Sequence, residues 1–400
     1  MKKVILFILI IIIYFNSISI AKFGNSKSRS QNSWKKTFFV FKRLYSIQHT
    51  KDKSYIISGN NLLNAWVLKI NSEGHKEWDY TLDDSYVANS VLQTLDGGYI
   101  LAGSTSTKGA GEYDFLVFKI DEKGRKIGES TFGGSKNDFA KSIKQTADGG
   151  YIVVGITQSK GYGDAKKRRN DVWVIKLNNE GFQEWDYTFG GKYDDLAESI
   201  QLTNDNGYII AGSTCSKGNK FIRFDAWIIK LSRKGHIQWE YTFGGDKEDK
   251  AYDIKQTTDG GFIVSGSKNI ERAKGDAWVF KLNNKGKKQW DYTYDVGCIA
   301  SSIQQTTDNG YIVAGSTYQE GNYHNGDVLV MKLNNKGNKQ WHRTFGENDY
   351  YEIATSILQT ADGGYIFTGY ADKVYDNTDN FKNDTNAFII KVNSEGLLIK

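Results

Sequence analysis

One segment of this chain recurs about every fifty residues, and this repetition constrains the fold more than any other feature. In its clearest copy, between Trp185 and Gly235, it reads WDYTFGG, then DLAESIQLTNDNGYIIAGST, then DAWIIKLSRKG. The spacings between successive copies of the first Trp are 44, 50, 57, 54, 51 and 51 residues, so the connecting loops must differ in length. Seven copies are counted. The anchor positions are Trp34, Trp78, Gly128 (where Trp is replaced), Trp185, Trp239, Trp290 and Trp341.

Each copy has the pattern of four short β-strands. ESIQLT is followed by a turn over residues 204–207 and then by YIIAGST, and a second turn at residues 233–235 joins AWIIKL to QWEYTF. Asn, Asp and Gly accept a left-handed backbone, so these turns predict tight hairpins. Alternation in WDYTF indicates a strand with one buried face. Runs such as YIVVGI are apolar throughout, which predicts strands covered on both faces.

Seven units of four strands predict an all-β fold, a seven-bladed β-propeller. No unit has the 3.6-residue apolar period of a helical solenoid, and the units are too long for the rungs of a β-helix. The last copy ends before its fourth strand, whereas the N-terminal part supplies a spare strand, residues 34–38. We therefore expect this strand to pair into the last blade as its outer strand and to close the ring.

The pattern W-x-Y-T-F-G-G, an acidic residue, A-x-S-I, D-G-G-Y-I and G-S-T resembles the bacterial β-propeller repeats of secreted and surface proteins. It is also similar to kelch units in its length and its Gly pair. The resemblance covers residues 34–400, which we assign to one propeller domain. The first copy departs most, because TKDKS replaces TxDGG. The family has no shared reaction, so the resemblance implies an extracytoplasmic binding or scaffold protein without catalytic residues.

The first 21 residues have the pattern of a signal peptide. Lys2 and Lys3 precede a twelve-residue apolar run, and small residues at Ser19 and Ala21 suit a cleavage site. The run is shorter than the roughly 20 residues of a membrane span, although an uncleaved anchor is the alternative. Residues 22–33 form a short basic lead-in. We expect an exported protein (periplasmic, surface-bound or secreted) with no transmembrane segment in the mature chain.

The loops divide into two groups at opposite ends of the blades. The DGG hairpins and NNxG turns form one end, here called the turn face. The inter-blade Gly-Gly segments and the loops before each third strand form the other, the loop face. Loop-face segments vary most in length, and binding residues concentrate on such loops. The candidate binding residues are a basic rim, Lys166, Lys167, Arg168, Arg169, Lys217, Lys220 and Arg223, and four loop aromatics, Tyr162, Phe221, Tyr323 and Tyr375.

A basic rim would suit an acidic envelope polymer or an acidic surface protein. The alternative is that these charges only keep the loops soluble. The formal net charge is +6, so the rim reflects local placement more than bulk charge. Nucleic acid is a poor partner for an exported chain.

No motif indicates a cofactor, a metal or a catalytic centre. The five histidines are dispersed without zinc-ligand spacing, and no G-x-S-x-G segment occurs. Acidic residues recur at two repeat positions, with at most one carboxylate per blade at either position and Asn64 and Asn386 replacing the acid at the first, which favours backbone capping over metal binding. They precede the third strand (Asp114, Asp171, Asp225, Asp276 and Asp327) or begin the first (Asp138, Asp195, Asp249 and Glu352).

Cys215 and Cys298 occupy non-equivalent repeat positions. Two separate thiols are therefore favoured over a disulfide, although a disulfide stays possible.

The sequence therefore predicts a binding or scaffold module for a macromolecule, an envelope polysaccharide or a surface protein, that works through its loop face. The alternatives are a carbohydrate-active lyase or hydrolase with its site in the central channel, and a purely structural spacer. Carboxylate pairs for glycoside chemistry would become visible only as distances in the folded protein.

Overall fold

A computed structural model gives the fold of this chain. It describes residues 33–38, 42–62, 64–82, 86–161, 169–218, 223–271, 274–294, 297–318, 326–347, 349–373 and 385–398. All regular structure in these ranges is β-strand, arranged as seven four-stranded antiparallel sheets around a common axis. The predicted seven-bladed β-propeller is confirmed.

The blades follow one another along the chain, and each strand pairs with the next. Blade one contains β2 (Lys42–His49), β3 (Tyr55–Asn61), β4 (Asn64–Ile70) and β5 (Lys76–Leu82). Blade two contains β6 (Tyr86–Gln93), β7 (Tyr99–Thr105), β8 (Asp114–Ile120) and β9 (Lys126–Phe132). Blade three contains β10 (Asp138–Gln145), β11 (Tyr151–Thr157), β12 (Asp171–Leu177) and β13 (Gln183–Phe189). Blades four and five contain β14 (Asp195–Leu202), β15 (Tyr208–Thr214), β16 (Asp225–Leu231), β17 (Ile237–Phe243); and β18 (Glu248–Gln256), β19 (Phe262–Glu271), β20 (Lys274–Leu282), β21 (Lys288–Tyr294). Blade six contains β22 (Cys298–Gln305), β23 (Tyr311–Thr317), β24 (Val328–Leu333) and β25 (Lys339–Phe345).

Blade seven joins the two ends of the propeller. It consists of β26 (Tyr350–Gln359), β27 (Tyr365–Lys373), β28 (Thr385–Val392) and the N-terminal β1 (Trp34–Phe38). Strand β1 pairs antiparallel with β28, with Trp34 opposite Lys391 and Phe38 opposite Ala387. The N-terminal strand is therefore the outermost strand of the last blade, as predicted, and it covers the edge that β28 would otherwise expose.

The first strand of each blade in chain order is its innermost strand. Strands β2, β6, β10, β14, β18, β22 and β26 each contact the innermost strands of both neighbouring blades, so they surround the axis. Positions in these strands are counted from Asp138 in blade three and from its equivalents, which are Lys42, Tyr86, Asp195, Asp249, Cys298 and Glu352. Each strand carries a β-bulge at the fourth position, and in blade three the register shifts between Ala140 and Ser142. The bulge brings the carbonyl of the second residue onto the facing strand.

The Gly that ends each apolar run is explained by this bulge. In blade three, an ideal Cβ on Gly155 would lie 2.0 Å from the carbonyl oxygen of Phe139, which is far inside contact distance. The corresponding distances in the other blades are 1.7 to 1.9 Å. Only Gly fits this position, so it repeats in all seven blades: Gly59, Gly103, Gly155, Gly212, Gly266, Gly315 and Gly369.

The core lies between blades, as apolar layers formed by neighbouring sheets. The anchor Trp of one blade packs against the Gly of the outer turn in the next blade. The Trp185 ring, for example, lies 2.8 Å from where a Cβ on Gly235 would be. The same contact joins Trp34 to Gly74, Trp78 to Gly124, Trp239 to Gly286, Trp290 to Gly337 and Trp341 to Gly396. The junction between blades two and three lacks it, since Gly128 replaces Trp and Gly181 faces only Ser130 at 3.6 Å.

On the turn face, each blade contains one Lys–Asp ion pair. The third strand supplies a Lys, and the first hairpin supplies the Asp. Lys281 is 3% exposed and lies 2.9 Å from Asp259. Although burial opposes it, hydrogen bonds from Thr257 and Lys281 lower the pKa of Asp259 to about 2. The pairs are Lys69–Asp52, Lys119–Asp96, Lys176–Asp148, Lys230–Asp205, Lys281–Asp259, Lys332–Asp308 and Lys391–Asp362.

The two cysteines are both buried, and they are not joined in a disulfide. This agrees with the prediction from their non-equivalent positions. Burial raises the pKa of each thiol to about 12, so both are protonated at neutral pH.

Candidate functional site

The described members of the predicted basic rim are held by acceptors of their own chain. Arg169 lies 2.5 Å from Asp194, and Arg223 donates to the backbone carbonyl of Asp246 at 2.7 Å. Lys217 pairs with Glu240 at 2.6 Å. The structure therefore shows these three cations on separate local contacts rather than on one shared site. The other rim residues, Lys166, Lys167, Arg168 and Lys220, and the loop aromatics Tyr162, Phe221, Tyr323 and Tyr375 lie outside the described residues.

The central channel is walled by the innermost strands. The second and fourth residues of each strand keep partial exposure, whereas the third and sixth are buried. At the second and fourth positions, the side chains differ from blade to blade although the backbone is the same. The second positions are Arg43, Val87, Phe139, Leu196, Lys250, Ile299 and Ile353, and the fourth are Tyr45, Asn89, Lys141, Glu198, Tyr252, Ser301 and Thr355.

Aromatic rings gather at four blade junctions on the loop face. Tyr113 packs against Phe139, with ring centroids 5.3 Å apart, where blade two meets blade three. Tyr318 stacks on Tyr351 at 5.5 Å where blade six meets blade seven. Phe224 lies where blade four meets blade five, and Tyr370 lies where blade seven meets blade one. We call Tyr113, Phe139, Phe224, Tyr318, Tyr351 and Tyr370 the aromatic belt.

Two cations lie on rings of the aromatic belt. Lys250 lies 4.6 Å from the ring centroid of Phe224, and Arg43 lies 4.6 Å from that of Tyr370. Arg43 also donates to both carboxylate oxygens of Asp372 at 3.1 Å, which fixes the plane of its guanidinium. The belt thus combines flat apolar faces with two cationic side chains, of which Arg43 is paired with Asp372 and Lys250 lies 3.9 Å from Glu248. Except for Tyr113, which is 36% exposed, its rings are half-buried.

Backbone hydrogen bonds between blades hold these junctions. The carbonyl of Tyr113 accepts from the N–H of Asp138 at 2.7 Å, and the carbonyl of Phe224 accepts from Asp249 at 2.7 Å. Equivalent hydrogen bonds join Asp195 to Asn170 and Glu352 to Gly326, so at four junctions the segment before a third strand is tied to the start of the next innermost strand. This contact places belt residues from two blades side by side.

The recurring acidic residues form buried pairs beneath the belt. A Cβ on Gly133 would lie 1.7 Å from Oδ1 of Asp114 and 2.8 Å from Oδ2 of Asp138, so the two carboxylates face each other across this Gly. Asp138 accepts from the backbone N–H of Gly134 at 3.0 Å, which confirms that it caps its own loop. The same arrangement joins Asp171 to Asp195, Asp225 to Asp249 and Asp327 to Glu352.

Burial and mutual repulsion affect the protonation of these pairs. Burial, reinforced by the carboxylate of Asp327, raises the pKa of Glu352 to about 8. Burial also raises the pKa of Asp114, with Asp138 adding to the effect. Such a pair suits one shared proton better than two charges. Within the described residues, no three Asp, Glu, His or Cys side chains come together as a metal-binding group.

No protein-family model matches this chain. No curated protein matches it either. Solved structures share its fold at low identity. A streptogramin B lyase is 15% identical with a TM-score of 0.56, covering 91% of this chain and all of that one. A virginiamycin B lyase from Staphylococcus aureus, solved with quinupristin, is 13% identical with a TM-score of 0.57, covering 90% of this chain and 99% of that one. The Pan2 WD40 domain of Neurospora crassa is 12% identical with a TM-score of 0.55, covering 87% and 88%.

These similarities support the β-propeller fold, and no family model supports the finer resemblance to kelch repeats. The similar structures include two lyases and a WD40 domain, so the shared fold alone does not decide the function. Across the described part of the chain, we find no helix with the length and apolar character needed to cross a membrane.

Proposed function

We propose that this protein is an exported binding module whose loop face binds an acidic polysaccharide of the cell envelope. The observation that carries the proposal is the aromatic belt with its two cations. Aromatic rings offer flat apolar faces on which the apolar face of a sugar ring can lie. Arg43 and Lys250 place N–H donors beside these faces, and such donors suit a polymer bearing carboxylate or phosphate groups.

The arrangement of the belt also suits an extended ligand. Its rings occur at four junctions around the axis, and inter-blade backbone hydrogen bonds between described residues hold three of these junctions. A polymer can therefore contact several rings at once, and such linked contacts raise the apparent affinity without any one contact being strong. The basic rim predicted from the sequence, Lys166 to Arg169, would add positive charge for the same ligand.

Export is supported by the N-terminal sequence pattern alone. Mass spectrometry of the protein recovered from the producing cells tests it. We expect a mature chain beginning at Lys22, in the periplasmic, surface or secreted fraction. A full-length chain held in the inner membrane fraction would contradict cleavage and favour an N-terminal anchor.

Binding is tested with acidic polysaccharide extracted from the envelope of the producing cells, titrated into the purified protein at several salt concentrations. We expect saturable binding that weakens as salt rises. Tyr318→Ala together with Tyr351→Ala should weaken it at least tenfold, which corresponds to about 1.4 kcal/mol. Tyr241→Ala, which removes an exposed aromatic ring from the outer strand β17, is the matched control and should leave the affinity unchanged.

A second variant separates the belt from the rim. Changing residues 166–169 to Glu should weaken binding further if the rim extends the surface. Loss of binding in the rim variant, with wild-type affinity in the belt variant, would contradict the role of the belt. Absence of binding, together with capture of an acidic surface protein by the same face, would replace the polysaccharide with a protein partner. Release of unsaturated or shortened oligosaccharides during the titration would indicate a lyase or a hydrolase.

A further inference from the structure

A second polar layer lies in the central channel, at the end nearest the turn face. It is formed by the seventh residues of the innermost strands, most of which keep partial exposure. Three of them, on the adjacent blades three, four and five, are hydrogen-bond donors: Lys144, Gln201 and Lys255. The remaining four members of the layer are Gln48, Leu92, Gln304 and Leu358.

Lys144 is a lysine that makes no ion pair with any described residue, and the carboxylate of Asp253 favours its charged form only through a weaker electrostatic attraction. Among the residues that the structure describes, its ammonium has no hydrogen-bond or ion-pair partner. Burial, with a smaller effect of the charge of Lys255, lowers the pKa of Lys144 to about 8. An ammonium group without a partner is costly in a poorly solvated place. Gln201 lies on the strand between the two lysines, and its side-chain amide likewise has no hydrogen bond in the described ranges.

Lys255 differs from Lys144 because it has an acidic partner. Its Nζ lies 2.6 Å from Oδ1 of Asp253. Asp253 also accepts from the Ser199 hydroxyl at 2.8 Å and from the backbone N–H of Ile303 at 3.1 Å. Asp253 stands where the other six blades have Ser, as Ser46, Ser90, Ser142, Ser199, Ser302 and Ser356.

Lys144, Lys255 and Asp253 together carry one excess positive charge. Asp253 neutralises one lysine, and no acidic residue among the described seventh positions neutralises the other. Asp253 is 8% exposed and its acceptor capacity is used by several donors, so it is poorly placed to serve Lys144 as well. The layer offers donors on three adjacent strands, and one of them, Lys144, has no acceptor within hydrogen-bond distance among the described residues.

We propose that the channel layer formed by Lys144, Gln201 and Lys255 binds a small oxyanion of the sulfate, phosphate or carboxylate class. The anion oxygens accept from the two ammonium groups and from the Gln201 amide, and the ligand charge balances Lys144. Charge-assisted hydrogen bonds of this kind are stronger than neutral ones. This site goes beyond the polysaccharide surface, because it lies at the opposite end of the channel from the loop face.

The test is calorimetric titration of the purified protein with sodium sulfate, sodium phosphate and sodium acetate, each against sodium chloride at equal ionic strength. We expect saturable 1:1 binding of at least one of the three oxyanions. The anion that binds most tightly distinguishes a free inorganic ion from the carboxylate group of a larger ligand. Lys144→Gln, which removes the charge and keeps a polar side chain, should weaken this binding at least tenfold.

Lys234→Gln is the matched control, because it removes one exposed positive charge from an outer turn on the same face. It should bind the anion as the wild type does. A second measurement does not depend on a variant: the rate at which acetic anhydride modifies Lys144, followed by peptide mass spectrometry, should fall when the bound anion is present. No saturable binding of any of the three oxyanions, or equal binding by Lys144→Gln, would overturn the proposal. Modification of Lys144 at the same rate with and without a bound anion would place that anion elsewhere.

Discussion

The junction between blades two and three is the one place where the repeated Trp contact is missing, and restoring it should stabilise the protein. A Cβ on Gly128 would have no heavy atom within 4 Å, so an indole can enter without a clash. The turn that would contact the new indole is also present, since Gly181 has the left-handed backbone of the equivalent glycines, with a φ of 88°. We therefore predict that Gly128→Trp stabilises the fold.

The size of the effect follows from the six junctions that already have the contact. An indole half-covered by the neighbouring turn buries about 100 Å², half of what a buried aromatic covers. At about 25 cal/mol per Å² this contributes about 2.5 kcal/mol. Ordering the side chain costs about 1 kcal/mol, and removing Gly from a strand returns about 0.5 kcal/mol. The net gain is about 2 kcal/mol, or about 2–3 °C in melting temperature for a domain of this size.

The assay is thermal unfolding followed by circular dichroism, with two comparison variants. Gly128→Ala gains only the strand preference, so its melting temperature should rise by about 1 °C or less. Trp185→Gly removes an existing contact and leaves a gap, so it should destabilise the protein by about 3 kcal/mol. A Gly128→Trp protein no more stable than Gly128→Ala would refute the idea that the Trp–Gly contact holds neighbouring blades together.

Three further predictions concern the repeated elements. Gly155→Ala should destabilise the protein by about 2–3 kcal/mol in a denaturant titration, because the new Cβ would overlap the Phe139 carbonyl. The lowered pKa of Asp259 means that its carboxylate stabilises the fold above about pH 4 and loses this effect as pH falls toward 2. In Asp259→Asn, which leaves Lys281 without its charged partner, melting temperature should therefore be lower at neutral pH and depend less on pH between 4 and 2. The raised pKa of Glu352 has the opposite effect on the pH dependence of stability, because the folded state holds a proton that the unfolded state releases. Stability therefore falls as pH rises from about 4.5 to 8, and Glu352→Gln should flatten this decline.

Each of these variants has a control in which a residue of the same type is changed at an unconstrained position. Gly245→Ala adds a Cβ with no heavy atom within 4 Å and should leave stability nearly unchanged. Asp349→Asn and Glu395→Gln remove exposed carboxylates and should keep the wild-type pH profiles. If Gly155→Ala were as stable as Gly245→Ala, the explanation of the repeated Gly would be wrong. Unaltered pH profiles in Asp259→Asn and Glu352→Gln would contradict the assigned protonation states.

The fold could be predicted because its determinants are periodic. The hairpin turns, the apolar central strands and the spare strand at residues 34–38 each depend on local pattern, and the repetition set the number of blades. Two periodic features escaped the prediction although both are visible in sequence. The Lys of each third strand and the Asp of each first hairpin recur in all seven copies, but only the fold shows that they meet.

The candidate site was less predictable because it depends on differences between copies. Sequence reasoning favoured long loops, whereas the described aromatic belt uses short-loop and strand positions such as Tyr113 and Phe139. Arg43, Tyr45 and Lys144 occupy the same repeat positions as Val87, Asn89 and Leu92, so the repeat pattern assigns them no role of their own. Ranking residues by how far they depart from the other copies would have found Arg43 and Asp253. Their partners become apparent only when the ring brings distant blades together.

The pairing of β1 with β28 reverses the usual relation between order of synthesis and order of assembly. Strand β1 has no partner until β28 has been synthesised, so blade seven cannot be completed before the other six blades have been made. The contacts that close the ring span more than 300 residues, and such non-local contacts form late. Until then, β28 presents an open edge that the β1 strand of a second copy could occupy. Refolding at high protein concentration should therefore yield strand-exchanged dimers, and refolding at low concentration should yield closed monomers.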